Sequence, residues 1–344
     1  MSVTTVLFDL DGTLLPMDQE LFIKEYLNRL ARKLAPYGYE PKKLIEGVWV
    51  GTKAMVKNTG EQTNEEVFWS ACNAYLGCEA SKDKTIHTDF YQNEFNEVKA
   101  SCGFAEKAAQ IVSWLKGEGI RVVLATNPLF PSVATENRIR WAGLQPEDFE
   151  YFTTFETSHY CKPNLDYYRE IMKKLKLHPE ECLMVGNDVG EDMVVQQLGM
   201  QVFLLTDCLI NKAGADISRY PNGGFAELEA YLKEMLLSGK YGYEKLSDEP
   251  LYPDQMVFFA DTFYQDIDTL EDGKAVASSV TGEMVMRMGA KKALTLTETL
   301  SAVFFIWENV EKAGYTVSNM SAAARNFIAN WESEKYRKSL SDKK

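Results

Sequence analysis

Histidine is almost missing from this 344-residue chain. Only His87, His159 and His178 occur, in separate segments, so a histidine-rich metal centre has no ligand set to draw on. Cysteine is sparse too. The six cysteines are scattered, with no CxxC pair and no zinc-like spacing, and they read as reduced, mostly packed thiols of a cytoplasmic protein. Basic charge is in deficit, 37 Lys and Arg against 50 Asp and Glu, and a net charge of −13 repels a nucleic-acid backbone or an anionic membrane surface. The densest basic cluster is the terminal group around Lys335, Arg337, Lys338, Lys343 and Lys344, which reads as a solvated end. No apolar run approaches the roughly 18 residues of a membrane span. The opening MSVTTVLFDLDG has no basic region ahead of a long apolar stretch, unlike a secretory signal.

What the chain does contain is alternation. Thr5–Phe8 is a short β-branched and aromatic run ending on Asp9, the pattern of a buried strand, and similar runs fall at 121–125, 151–154, 182–185 and 202–205. Helical patterns lie between them at 105–116, 132–141, 165–175 and 191–198. Strands alternating with helices predict an α/β fold: a doubly wound, mostly parallel sheet covered on both faces. Ligands of such sheets bind beyond the carboxyl ends of the strands, so the residues just after each strand are the ones to inspect.

The first two strands are more than a hundred residues apart, and the gap reads as four helices, 19–34, 42–57, 64–75 and 84–99. The expected organisation is an α/β core from residues 1–17 and 101–239, a helical lobe over 18–100, and a helical C-terminal extension over 246–344. The extension packs on its own domain, forms a homodimer contact or docks a protein partner.

Chemistry concentrates after the first strand. In VLFDLDGTL, Asp9 and Asp11 stand at i and i+2 beyond the strand, facing one crevice, with Gly12 supplying the turn. One carboxylate can attack phosphorus and form an acyl-phosphate, while its neighbour, holding its proton against like-charge repulsion, protonates a leaving oxygen. Three further segments follow in order: LATNP with Thr126 and Asn127 after the second strand, YCKPNLDYY with Lys162, and MVGNDVGEDM with Asn187, Asp188 and Asp192 after the fourth.

These four segments resemble, in order, the motifs of the haloacid dehalogenase (HAD) superfamily, over residues 1 to about 238. The resemblance implies a HAD-like Rossmannoid core with the helical lobe as a cap inserted after the first motif. It makes Asp9 the nucleophile, Asp11 the general acid and base, Thr126, Asn127 and Lys162 the holders of the transferring phosphoryl group, and Mg²⁺ the cofactor. The ion would be held by Asp9, the Asp11 carbonyl and an acid of the fourth motif. That last ligand has two readings. With no inserted residue, Asn187 takes the usual ligand position. With the turn shifted by one, Asp188 is the ligand and Asp192 supports it or holds Lys162. Magnesium prefers a carboxylate to an amide, which favours Asp188.

Asp11 also selects the reaction, since an alkoxide leaving group needs a proton. The expected activity is a Mg²⁺-dependent phosphatase acting on a small phosphorylated metabolite through an aspartyl-phosphate. The alternatives are phosphoryl transfer to another hydroxyl, as in the family's phosphomutases, and a HAD-shaped binding or regulatory protein acting through its C-terminal helices. In the lobe, Lys53 and Lys57 near Trp49 are candidates to meet an anionic substrate, and His159, three residues before Lys162, is a candidate neighbour of the site.

Overall fold

The computed structural model describes residues 3–241, and Val3–Leu232 form one compact unit. The extension expected over 246–344, with its homodimer or partner contact, lies outside the described residues. No helix among the described residues is long and apolar enough to cross a membrane.

Six parallel strands make the sheet: β1 (Thr5–Phe8), β2 (Arg121–Leu124), β3 (Tyr151–Phe152), β4 (Cys182–Gly186), β5 (Gln201–Leu205) and β6 (Asn222–Gly223), in the spatial order β3-β2-β1-β4-β5-β6. β1 is central, and Val6, Leu7 and Phe8 are wholly buried, which is why it reads as a continuous apolar run. The chain runs outward from β1 to β2 and β3, then crosses back to β4 on the other side of β1. That reversal opens a crevice at the carboxyl ends of β1, β2 and β4, the place where such sheets hold ligands.

Among the described residues, eight α-helices accompany the sheet. Four belong to the insertion: α1 (Gln19–Leu34), α2 (Pro41–Val56), α3 (Asn64–Leu76) and α4 (Lys84–Gln92). The others are α5 (Glu106–Gly117), α6 (Ser132–Trp141), α7 (Leu165–Leu175) and α8 (Phe225–Tyr241). Local chemistry starts several of these helices. Asp18 accepts the Glu20 and Leu21 amides ahead of α1, and Thr63 and Glu66 close a reciprocal capping box at α3.

The single helix expected over 84–99 is broken. Asn93 leaves helical geometry (φ −116°, ψ −87°), its amide donates to the Asp89 carbonyl and carboxylate, and the chain continues as a 3-10 segment, Glu94–Ser101. A side-chain amide competing for backbone groups is the reason. Likewise the helix expected over 191–198 is a 3-10 segment, Met193–Leu198, because Glu191 and Asp192 before it are committed to contacts in the crevice.

The insertion leaves and rejoins the sheet where Met17 and Cys102 face each other in an isolated antiparallel bridge. It packs on the core through rings. Phe22, Tyr26 and Phe95 meet Phe130, and Phe95 meets Trp141, with centroids 5.0–6.3 Å apart. Buried Asn64 adds polar contacts, its Nδ2 lying 3.4 Å from the Pro128 carbonyl and 3.3 Å from that of Tyr160.

Candidate active site

Asp9 stands at the exit of β1, with its backbone amide on the Val185 carbonyl (2.9 Å) and its side chain buried. Lys162, from the loop ahead of α7, reaches it across the crevice: Nζ donates to Asp9 Oδ1 at 2.8 Å and to Asp192 Oδ1 at 2.7 Å. Lysine and both carboxylates are nearly sealed from solvent. Burial opposes the ammonium charge, yet Asp192 and Asp9 together hold the Lys162 pKa well above its ordinary value. One ammonium cannot neutralise two carboxylates. The excess shows at Asp192, where burial, against the pull of Lys162 and helped by the Asp9 charge, pushes the carboxyl up to about 7.

The fourth segment closes the crevice opposite Asp9. Asn187 is buried, its Nδ2 donating to the Cys208 carbonyl at 2.7 Å, which turns Oδ1 inward. Thr13 Oγ1 lies 3.1 Å from that oxygen and 3.3 Å from Asp9 Oδ2. A hydroxyl has one proton for these two acceptors, so one oxygen is left short of a positive partner. Asp188 is oriented differently. Its Oδ1 accepts the Gly190 amide (2.7 Å) and the Glu191 amide (3.1 Å), while its own amide donates to Asp192 Oδ2 (3.0 Å).

The close approach of the first and fourth segments rests on Gly12. Its φ is +89°, and a Cβ there would stand 2.3 Å from Asn187 Nδ2, an atom that cannot retreat while bonded to Cys208. Gly12→Ala is expected to cost roughly 3 kcal/mol, combining left-handed strain with overpacking, read as a lowered denaturation midpoint at unchanged slope. A midpoint within error of the parent would show that the loop re-forms without this contact.

Asp11 is held from the side. Its Oδ2 pairs with the guanidinium of Arg138, a fully buried arginine of α6 that lies over the Phe130 ring with Cζ 4.4 Å from its centroid. Asp11 Oδ1 is buried with no hydrogen-bond partner. Burial pushes the Asp11 carboxyl up against the opposing effect of Arg138, and the Asp9 charge adds to the rise. A carboxyl with an upward-shifted pKa and one vacant oxygen suits a proton donor.

Thr126 and Asn127 follow β2. The Thr126 carbonyl accepts the hydroxyls of Thr153 (2.5 Å) and Tyr167 (2.8 Å), fixing the backbone that carries its side chain. Asn127 joins the second segment to the others, its Nδ2 donating to Glu191 Oε2 (3.0 Å) and its Oδ1 accepting the Lys162 amide (3.3 Å). Tyr168 ties the third to the fourth through the Glu191 carbonyl (2.8 Å).

Asp9, Asn127, Lys162, Asn187 and Asp192 thus belong to one hydrogen-bonded network, which Asp188 joins through its amide and Thr126 through its carbonyl and its bond to Asn127, whereas Asp11 pairs separately with Arg138. Thr13, Tyr167, Tyr168 and Glu191 of the network, and Arg138 beside Asp11, are residues that sequence reasoning missed. The two tyrosines had a signal, in line behind Lys162, whereas nothing in the pattern of α6 marked a buried arginine. Lys53 and Lys57 are exposed on the insertion. His159 is occupied by Glu170, with Nδ1 2.6 Å from Oε1, so it takes no part in the network.

A family model for haloacid dehalogenase-like hydrolases matches residues 3–194, the span holding all four segments. The chain belongs to that family. It is similar to pyrophosphatase PpaX of Bacillus cereus, 24% identical over 248 residues that cover 72% of this chain and 95% of that one. It is also similar to the bifunctional riboflavin kinase/FMN phosphatase of Arabidopsis thaliana, 24% identical over 197 residues, 57% of this chain and 47% of that one. Among solved structures, a HAD phosphatase from Thermococcus onnurineus matches with a TM-score of 0.44 at 17% identity, over 67% of this chain and 98% of that one. The HAD-hydrolase YfnB of Bacillus subtilis, described as bound to magnesium, matches with a TM-score of 0.42 at 19% identity, over 67% and 99%.

Proposed function

We propose that this HAD hydrolase is a Mg²⁺-dependent phosphatase that cleaves a small phosphorylated metabolite through an aspartyl-phosphate on Asp9. The observation that carries the reading is the Lys162 ammonium, buried between Asp9 and Asp192 from two other segments. Asp9 attacks phosphorus, and Asp11 delivers its proton to the departing alkoxide. Asp11, now a carboxylate, then takes a proton from the water that attacks the phosphoryl group, freeing inorganic phosphate and Asp9. The Thr126 hydroxyl and Lys162 hold the equatorial oxygens as charge spreads over them.

The donor set fits magnesium. Asp9 Oδ2 and Asn187 Oδ1 are hard oxygens that share one hydroxyl proton, and the Asp11 carbonyl belongs to the same loop. On this reading an amide oxygen and a backbone oxygen would complete the shell together with water. This supports the unshifted turn, with Asn187 as ligand, Asp192 holding Lys162 and Asp188 shaping the loop. When bound, the ion would screen the anionic substrate from the Asp9 carboxylate. The helical insertion is assigned as the cap that shuts out water during the acid and base steps.

Phosphate release from p-nitrophenyl phosphate with Mg²⁺ is expected, lost on adding EDTA and restored by excess Mg²⁺. No release across a broad panel of phosphate esters with the metal present would overturn the assignment in favour of a binding protein.

A further inference from the structure

Among the described residues Arg138 is the largest side chain wholly shut off from solvent, and its salt-bridge partner is Asp11. A guanidinium withdrawn from water weakens a fold unless its surroundings compensate. Here the surroundings hold it still. Nε donates to the Ala134 carbonyl at 3.3 Å and Nη2 to the Thr135 hydroxyl at 3.3 Å, while the guanidinium lies on the Phe130 face. The remaining nitrogen, Nη1, donates to Asp11 Oδ2.

The mount is itself anchored. Asn137 Nδ2 of α6 donates to the Tyr91 carbonyl at 2.7 Å, and Trp141 Nε1 donates to Asn96 Oδ1 at 3.3 Å. The Phe130 ring is wedged among Phe22, Tyr26 and Phe95, with centroids 5.2–6.3 Å away. An arginine fixed at three points on a fixed helix presents its fourth contact in one place.

Asp11 receives nothing comparable from elsewhere. Among the described residues Arg138 is the one hydrogen-bond donor to its side chain, and Oδ1, buried and unpartnered, is left open. A carboxyl gripped through one oxygen has its other oxygen oriented in advance, which removes part of the entropy cost of reaction. The charge of the grip matters as well. As the P–O bond to the alcohol breaks, a proton crosses from Asp11 to the leaving oxygen and Asp11 becomes an anion. A hydrogen bond from a guanidinium strengthens as that charge develops, so it favours the transition state over the ground state.

We propose that Arg138 is the positioning residue of the acid step. By holding Asp11 Oδ2 it aims Oδ1 at the leaving oxygen and stabilises the carboxylate that the transfer leaves, so that cleavage of poor leaving groups depends on it. The proposal rests on the phosphatase reading, with Asp11 as its acid.

The test compares kcat/KM, with Mg²⁺, for phenyl phosphate and 2,4-dinitrophenyl phosphate. Dinitrophenolate departs as a stable anion, whereas the more basic phenolate gains from a proton. Because kcat/KM ends at departure of the alcohol, the later attack of water, common to both esters, does not enter. The ratio of the two is also independent of how much of a preparation is folded.

In Arg138→Met, which keeps similar volume and removes the charge, phenyl phosphate is expected to lose about 100-fold more than the dinitrophenyl ester, the lower end of what a positioned proton donor contributes. Arg138→Lys keeps the charge without the planar fork that rests on Phe130 and reaches Thr135, and its differential loss is expected near tenfold, between parent and Met variant. Should Arg138→Met not fold, the ratio in Arg138→Lys decides alone. On an Asp11→Asn background, adding Arg138→Met is expected to change phenyl phosphate hydrolysis by less than about threefold, since both residues act through one proton transfer.

Equal loss on the two esters, as an arginine of purely structural role would give, would overturn the proposal and leave the phosphatase reading standing. So would a double variant whose loss is the product of the two single losses. Absence of parent turnover on both esters would overturn the Arg138 assignment, and absence across the wider panel of phosphate esters would overturn the phosphatase reading as well.

Discussion

Asp9→Asn is expected to cut phosphate release by at least about 10⁴-fold, a loss of roughly 5.4 kcal/mol of transition-state stabilisation. The substitution is nearly isosteric, so the amide oxygen can still accept Lys162 Nζ, and the ammonium keeps its 2.7 Å contact with Asp192. On the proposed mechanism, what disappears is the anionic oxygen that would attack phosphorus, together with one of the hard ligands proposed for Mg²⁺. Because folding and catalysis separate here, the melting midpoint should stay within a few degrees of the parent. Initial rates and thermal unfolding on the same preparation check both halves, with mass spectrometry excluding deamidation back to Asp9. Activity above about a tenth of the parent with an intact asparagine would place the nucleophile elsewhere.

Much of the core was legible because its signals are local. The sequence reading of β1, α1 and α7 coincides with the structure since each has an uninterrupted period and a clear boundary: buried β-branched residues ending on Asp9, or a helix opened by a capping Asp18 or Asn164; α6 coincides too, opening after Pro131 without a side-chain cap. The third strand was read too long because only Tyr151 and Phe152 pair with β2. β6 is two residues, Asn222 and Gly223, a pairing made by position alone and invisible to any periodicity. The break at Asn93 was lost because apolar spacing continues across it, through Phe90, Phe95 and Val98.

The candidate site divides along the same line. Asp9, Asp11 and Lys162 were legible from type and order. Whether Asn187 or Asp188 faces Asp9 depends on where a turn bends, and that is decided by the Asp188 carboxylate capping the amides of Gly190 and Glu191. Arg138 was out of reach for a different reason. A fully buried arginine violates the pattern expected of a core-facing helix position, and only its partners, Asp11 and the Phe130 face, make it tolerable.

Lys162→Met tests how far that buried charge balance supports both fold and chemistry. Methionine fills similar space, so packing is largely retained, but Asp9 and Asp192 are left facing each other without a counter-charge. Removing one partner from a buried ion pair costs about 3–5 kcal/mol, and here two carboxylates lose the same partner. The loss should depend on pH with a definite sign. Burial raises the Asp192 carboxyl from its ordinary value of 3.8 to about 7 in the native protein. The native state therefore binds this proton more tightly, and stability gains as pH falls from about 8 towards about 5. Without the ammonium, the native pKa moves further up and the gain becomes larger. Urea midpoints at several pH values read this directly, the variant approaching the parent under mildly acid conditions. Turnover should not follow. A charge needed on the transferring phosphoryl group is still missing, so kcat is expected to remain about 10²–10³-fold down even at the pH where the fold recovers. A variant whose stability loss is the same from about pH 5 to 8 would show that Lys162 contributes packing alone, and that Asp9 and Asp192 do not share its charge.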